Sequence, residues 1–154
     1  MNQLQKDYLN SYLERFTLEQ RDRHKEVEAD YFCADEKNAN ICSELILRDE
    51  KTASCSMRYW YESGLEPMPK VGTLQVVTDW SGNPTSIIET TEISESKFSE
   101  VTAEFAALEG EGDKSLDWWR KAHWNFFSAE CQEQSLQPDN DMILVLEKFK
   151  VVYS

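Results

Sequence analysis

Lys51-Thr52-Ala53-Ser54-Cys55-Ser56-Met57 is where the chain changes its period. From Thr52 onward, hydroxyls alternate with small apolar residues: Thr52, Ser54 and Ser56 on one face, Ala53, Cys55 and Met57 on the other. Successive side chains of an extended chain point to opposite faces, so this is the pattern of a half-buried strand. Upstream the spacing is helical. Asn40 to Asp49 sets Ile41, Leu45 and Ile46 on one side, and further back Leu4, Tyr8, Leu9, Tyr12, Leu13 and Phe16 recur at helical intervals. The spacing predicts a helix over residues 3–30, with its charged second half a solvated face.

Downstream of Met57 the period of two returns. Gly64, Pro67 and Pro69 mark a loop, after which Thr73–Asp79 and Thr85–Ile93 read as strands. Between them Trp80-Ser81-Gly82-Asn83-Pro84 has the turn chemistry of a hairpin. Ser99 is placed to cap a helix through Leu108, which Glu109-Gly110-Glu111-Gly112-Asp113 breaks. Ser115 caps a longer aromatic helix to Gln134, and Met142–Val152 reads as a β-rich strand. The order α-α-β-β-β-α-α-β predicts an α+β protein, a small mixed and mainly antiparallel sheet or barrel flanked by helices.

The chain has 154 residues, the length of one domain. It carries 40% hydrophobic and 29% charged residues, which argues against disorder. No apolar run approaches the roughly 20 residues that cross a bilayer. Met1-Asn2-Gln3-Leu4-Gln5-Lys6 lacks the pattern of a signal peptide, so a cytoplasmic location is expected. Cys33, Cys42, Cys55 and Cys131 share no metal or redox spacing and are expected as thiols, with Cys55 in the core. Two histidines, His24 and His123, are too few for a His-rich metal site. The net charge of −13 opposes binding along long duplex DNA, which needs cationic surface. A local cleft for single-stranded RNA or a nucleoside stays open, because net charge does not describe a pocket.

Three groups of residues could carry chemistry. Lys51 stands where helix hands over to strand, and a desolvated lysine there could exchange protons with Ser54 or Thr52. Ordinary surface exposure is the plainer reading, and a contact with Ser54 would need a turn or bulge at Lys51. The loop 109–113 could bring carboxylates together, with Glu109, Glu111 and Asp113 as candidates for a divalent metal such as manganese or magnesium. It reads equally as a solvated turn. On the helix 115–134, Leu116, Trp119 and His123 form a core stripe, whereas Trp118, Trp124 and Arg120 are left for stacking or ligand contact. His123 reads as a packed histidine or as a base.

The order of these pieces resembles the ASCH family, whose fold is similar to the RNA-binding PUA domain. The resemblance is carried by Leu45-Ile46-Leu47 through Lys51-Thr52-Ala53-Ser54, by Pro67 to Asp79-Trp80 and Gly82-Asn83-Pro84, and by Ile87-Ile88-Glu89-Thr90-Thr91. It continues through Phe105-Ala106, Glu109-Gly110-Glu111-Gly112-Asp113, Ser115-Leu116, Trp119-Arg120 and His123-Trp124. It implies an ASCH domain over 31–154, with residues 1–30 a helical extension packed on it. It also implies a cleft lined by the Lys51 strand and the later helices.

One branch resembles amidohydrolases of N4-acylated cytidine, which implies roles for Lys51, Ser54 and Glu109. Another resembles ribonucleases, which implies Lys51 with Ser128 and Tyr59. Thr52, Ser56, Arg58, Asp79, Trp80, Arg120 and Trp124 are then the expected ligand-binding residues. The chain departs from the family at Asp49 and Cys33, where similar chains often have glycine. It departs also at Ser56, where a basic residue is usual and Arg58 is the available substitute. The leading expectation is an RNA- or nucleotide-directed hydrolase of ribonuclease type. The alternatives are the acylcytidine amidohydrolase and a binding module for RNA or a modified base, with Trp80, Trp118 or Trp124 as the stacking plate.

Overall fold

A Schellman turn ends the helix before Lys51. In the computed structural model, which describes residues 1–24 and 26–154, helix α3 (Glu36–Leu47) is followed by Asp49 in the left-handed conformation, φ 56°. The Asp49 amide bonds the Ile46 carbonyl at 3.0 Å and the Glu50 amide bonds the Leu45 carbonyl at 2.9 Å. Those two bonds close the helix end in the way a glycine usually permits. Lys51 follows directly, and β2 (Ala53–Met57) starts two residues later.

The N-terminal region is not the single helix predicted over 3–30, of which residue 25 lies outside the described residues. α1 (Gln3–Leu13) stops at Glu14, and Thr17 opens α2 (Leu18–Asp22) through a capping box with Gln20. The three-residue β1 (Glu28–Asp30) then lies parallel to β3 (Leu74–Thr78). A short turn of helix, α4 (Tyr59–Glu62), comes after β2, where none was predicted. β4 spans Pro84–Lys97 and β5 Ile143–Tyr153. α5 covers Ala103–Glu109 and α6 Leu116–Glu133. Thr102, not Ser99, caps α5, because Ser99 is used in a 3₁₀ turn over Phe98–Glu100. Ser115 caps α6 as predicted, its hydroxyl accepting from the Trp118 amide at 3.1 Å.

The strands form one sheet in the order β1-β3-β4-β5-β2. β3 with β4 and β2 with β5 are antiparallel, so the predicted α+β class with a mixed, mainly antiparallel sheet holds. The chain divides into two units. The first comprises Met1–Glu50, Lys70–Thr91 and Phe149–Ser154. Its cores are Leu9, Tyr12, Leu13, Val27, Leu74, Val76 and Ile87, and Ile46, Val77, Ile88 and Phe149. The second comprises Lys51–Pro69 and Glu92–Lys148. There Ala53, Met57, Phe98, Phe105, Trp119, Phe127 and Leu144 pack together. Burying Phe127 fully contributes about 2–3 kcal/mol, and it fixes the face of α6 that also carries Trp119 and His123. None of the described helices is long and apolar enough to cross a membrane.

Candidate functional site

Lys51 is 2% exposed, and its ammonium is surrounded by acceptors within the second unit. Nζ donates to the Ala53 carbonyl at 3.0 Å, the Glu111 carboxylate at 3.0 Å and the Glu109 carbonyl at 3.4 Å. It also lies 3.7 Å from Oε1 of Glu109. A buried charge is tolerable only when paired and hydrogen-bonded, and Lys51 meets both conditions. In this arrangement all three of its protons face acceptors.

Glu109 is the other half of the pair and is 1% exposed. It ends α5, and Gly110 behind it takes φ 72°. Gly112 takes φ 60°, and a Cβ there would collide with the Trp118 indole, so the loop admits no larger residue at that point. Oε2 of Glu109 accepts from the Trp119 indole N–H and lies 2.9 Å from His123 Nε2 and 3.8 Å from Cys55 Sγ. Burial alone would raise the Glu109 carboxyl. The Lys51 charge, then the hydrogen bond and charge of His123, then the Trp119 indole, outweigh it and hold the carboxyl below its ordinary range.

His123 stacks on Trp119, 4.2 Å between ring centroids and 15° between planes. Its Nδ1 lies 2.9 Å from the Trp119 carbonyl and donates to it, while Nε2, in the charged ring, donates to the Glu109 carboxylate at 2.9 Å. Burial lowers its pKa, but the Glu109 hydrogen bond and charge outweigh that and raise it. Burial, followed by the Glu109 charge, pushes the Cys55 thiol well above its ordinary value, so it stands there as a neutral thiol. Asp113 is exposed and accepts from the Ser115 amide at 2.9 Å.

The ligand atoms of Cys55, Glu109 and His123 lie within 4.8 Å of one another. Magnesium and manganese take sets of oxygen ligands. Here the neighbours are a sulfur, an imidazole nitrogen and a carboxylate already neutralised by Lys51. Cys55, Glu109 and His123 do not make a magnesium or manganese site.

Of the residues singled out in the sequence, the structure brings Lys51, Glu109 and Glu111 together. Ser54 does not join them. It lies one residue from Cys55 on β2, and alternation turns it to the opposite face. The Ser128 hydroxyl is buried without a hydrogen-bond partner among the described residues, so it does not contact Lys51 by hydrogen bond. Thr52 donates its amide to the Leu108 carbonyl at 2.8 Å. Ser56 pairs with the Tyr61 hydroxyl at 2.6 Å.

Arg58 is neutralised by Glu62 at 2.6 Å and Glu95 at 3.1 Å. Tyr59 and Trp124 pack against the second unit's core, Trp124 edge-on to Phe98 at 5.5 Å, and Arg120 is exposed. Asp79 and Trp80 belong to the first unit. Asp79 holds the hairpin through Asn83, at 2.9 and 2.8 Å, and Trp80 leans on Tyr31 at 4.7 Å. Sequence reading placed Trp119 and Cys55 only in the core. Trp119 and His123 are spaced i, i+4 on a helix that starts a few residues after Glu109, and that spacing was the available signal.

The ASCH domain matches residues 28–153. The chain belongs to the ASCH domain family. This ASCH protein is similar to the crystal structure of an ASCH domain from Lactobacillus crispatus JV V101, with 53% identity and a TM-score of 0.96. That match covers 100% of this chain and 97% of the other. It is similar also to the crystal structure of protein EF3133 from Enterococcus faecalis V583, at 27% identity and a TM-score of 0.85, covering 99% and 90% of the two chains. Among curated proteins none matches the ASCH chain.

Proposed function

We propose that this ASCH domain hydrolyses the amide of a small uncharged nucleoside, N4-acylated cytidine being the substrate class. The observation that carries the reading is the buried pair of Lys51 and Glu109, 3.7 Å apart and each almost wholly out of solvent. Lys51 supplies a fixed positive charge for the oxyanion that forms when water attacks an acyl carbonyl. Glu109, ionised at neutral pH, takes the proton of that water and passes it to the departing amine. Trp119 and His123 hold Glu109 from its far side and act as positioning residues. Glu111 is the member of the group nearest solvent, its side chain 16% exposed, and it gives up its place on Lys51 to the substrate carbonyl.

The charges around the pair support a nucleoside over a polynucleotide. Two carboxylates flank Lys51, and Arg58, the cation expected to meet phosphate, is occupied by Glu62 and Glu95. One observation favours the ribonuclease reading instead: the buried Ser128 hydroxyl, which has no hydrogen-bond partner among the described residues.

Purified protein is incubated with N4-acetylcytidine and, separately, with single-stranded RNA, alongside Lys51→Met, Glu109→Gln and Ser128→Ala. Deacylation is expected, falling by roughly 100-fold or more in the first two variants and unchanged in the third. RNA cleavage abolished by Ser128→Ala would replace the amidase with the ribonuclease. Turnover of neither substrate would leave a binding module.

A further inference from the structure

Cys33 and Cys42, within the first unit, face each other with 2.9 Å between their sulfurs, nine residues apart in sequence. Both are thiols. Cys42 is on the buried side of α3, 1% exposed, whereas Cys33 is partly exposed in the bend before the helix. The other two cysteines face different groups: Cys55 the Glu109 carboxylate at 3.8 Å and Cys131 the Met57 sulfur at 3.7 Å.

The backbone at Cys33 adds an independent observation. Its φ is 73°, a left-handed conformation in which a Cβ meets the following carbonyl oxygen and which glycine adopts without strain. Asp35 fixes the entry to α3 by accepting from the Asn38 amide at 3.0 Å and its side-chain nitrogen at 2.7 Å. The chain therefore holds a residue with a side chain at a position that disfavours one, and the sulfur of that side chain is aimed at a second sulfur.

We propose that Cys33 and Cys42 are a redox modification site, which a low-molecular-weight disulfide such as oxidised glutathione converts to an intrachain disulfide. Cys33, the more exposed, attacks one sulfur of the small disulfide as its thiolate. The old sulfur–sulfur bond breaks, and one small thiolate leaves carrying the electron pair. Cys42 then loses its proton and attacks the Cys33 sulfur, releasing the second small thiolate. The two protons lost by the cysteines end on the two small thiols, and the electrons lost by the pair are those gained by the reagent. The bond staples the bend before α3 to the body of the helix. An excess of dithiol reverses it.

The test incubates the full chain with oxidised glutathione, denatures it, blocks remaining thiols with N-ethylmaleimide and maps the peptides by mass spectrometry. The expected product is two hydrogens lighter, carries maleimide on Cys55 and Cys131 alone, and yields a peptide linking Cys33 to Cys42. Dithiothreitol restores four alkylated cysteines. Cys42→Ser is expected to stop at a stable glutathione adduct on Cys33, and Cys33→Gly to form neither link nor adduct there. Four maleimides on oxidised wild-type protein would overturn the proposal. So would a glutathione left on Cys33 while Cys42 is alkylated, or a link from either residue to Cys55 or Cys131.

Discussion

Lys51 and Glu109 illustrate how much a single buried charge costs when its partner is taken away. Removing one member of a buried pair leaves an uncompensated charge and costs about 3–5 kcal/mol. Lys51→Met leaves Glu109 and Glu111 facing each other, so it is expected to lower stability by about 3 kcal/mol in urea unfolding. Glu109→Gln keeps the shape and leaves Lys51 with Glu111, so its loss is smaller. In the double variant the two losses are expected to fall short of their sum, because the second substitution removes a charge the first had orphaned. Additive losses would mean that the two side chains do not interact.

Glu109 and His123 together give a pH dependence with a definite sign. Glu109 sits below its ordinary 4.5, so its contribution is present above 4.5 and is lost as pH falls through the folded value. His123 sits above its ordinary 6.5, so its contribution is full below 6.5 and is lost as pH rises through the folded value. Both contributions coexist between those values. The melting temperature is therefore expected to decline from pH 6 to pH 9, and His123→Asn to flatten that decline. An unchanged alkaline slope in the variant would assign the decline to other groups.

At the scale of elements, the ends of helices carry the strain. Asp49 and Ser135 occupy the left-handed position after α3 and α6, φ 56° in each. Both belong to paired amide–carbonyl closures. The one after α6 runs from the Ser135 amide to the Gln132 carbonyl at 3.2 Å and from the Leu136 amide to the Cys131 carbonyl at 2.7 Å. Glycine removes the Cβ clash but adds freedom to the unfolded chain, and the first effect is the larger. Asp49→Gly and Ser135→Gly are each expected to gain about 0.5–1 kcal/mol, read as a higher urea midpoint with unchanged slope.

Between α4 and α6 the Trp60 indole donates to Glu130 at 3.4 Å. Burial first, against that hydrogen bond and helped by Glu66 and Glu133, pushes the Glu130 carboxyl up to about 7. A raised carboxyl is a penalty that begins above 4.5 and is complete above 7. Glu130→Gln is expected to stabilise at pH 8 by about 1 kcal/mol once solvent screening is allowed for, and to be neutral at pH 4. A loss at pH 8 would mean that the indole bond outweighs burial.

These elements also explain what the sequence made legible. β2 and the hairpin of β3 and β4 carry period two over five or more residues, long enough to register. β1 is three residues of Glu-Ala-Asp, paired among the described residues with β3, and is too short for its alternation to register. Charge alone predicts a continuous helix to residue 30, whereas the caps divide it: Thr17 with Gln20 is a stop-and-restart signal. The site was half legible: Lys51 and the acidic loop stand out by type. His123 and Trp119 sit on a stripe whose burial looks the same whether it faces oil or a carboxylate.

For the whole molecule the decisive quantity is where its positive charge goes. Against 29 acidic residues there are 16 Lys and Arg, and several of these are spent internally. Lys51 lies between two carboxylates, Arg58 on Glu62 and Glu95, Lys148 on Glu92 and Lys150 on Glu89. A protein that neutralises phosphates releases counterions, and its affinity falls steeply as salt rises. This surface would do the reverse with a phosphorylated ligand, because salt screens repulsion as it screens attraction.

The measurement that checks this is turnover of an acylated cytidine and of its 5′-monophosphate as salt rises from roughly 50 to 200 mM. For the uncharged nucleoside, kcat/KM is expected to stay flat. For the monophosphate it is expected to start lower and to climb toward the nucleoside value. A monophosphate preferred at low salt, and weakened as salt rises, would reveal a local cation that outweighs the acidic surround. The substrate class would then move from nucleoside to nucleotide, with Lys51 released from Glu111 as the group that meets the phosphate.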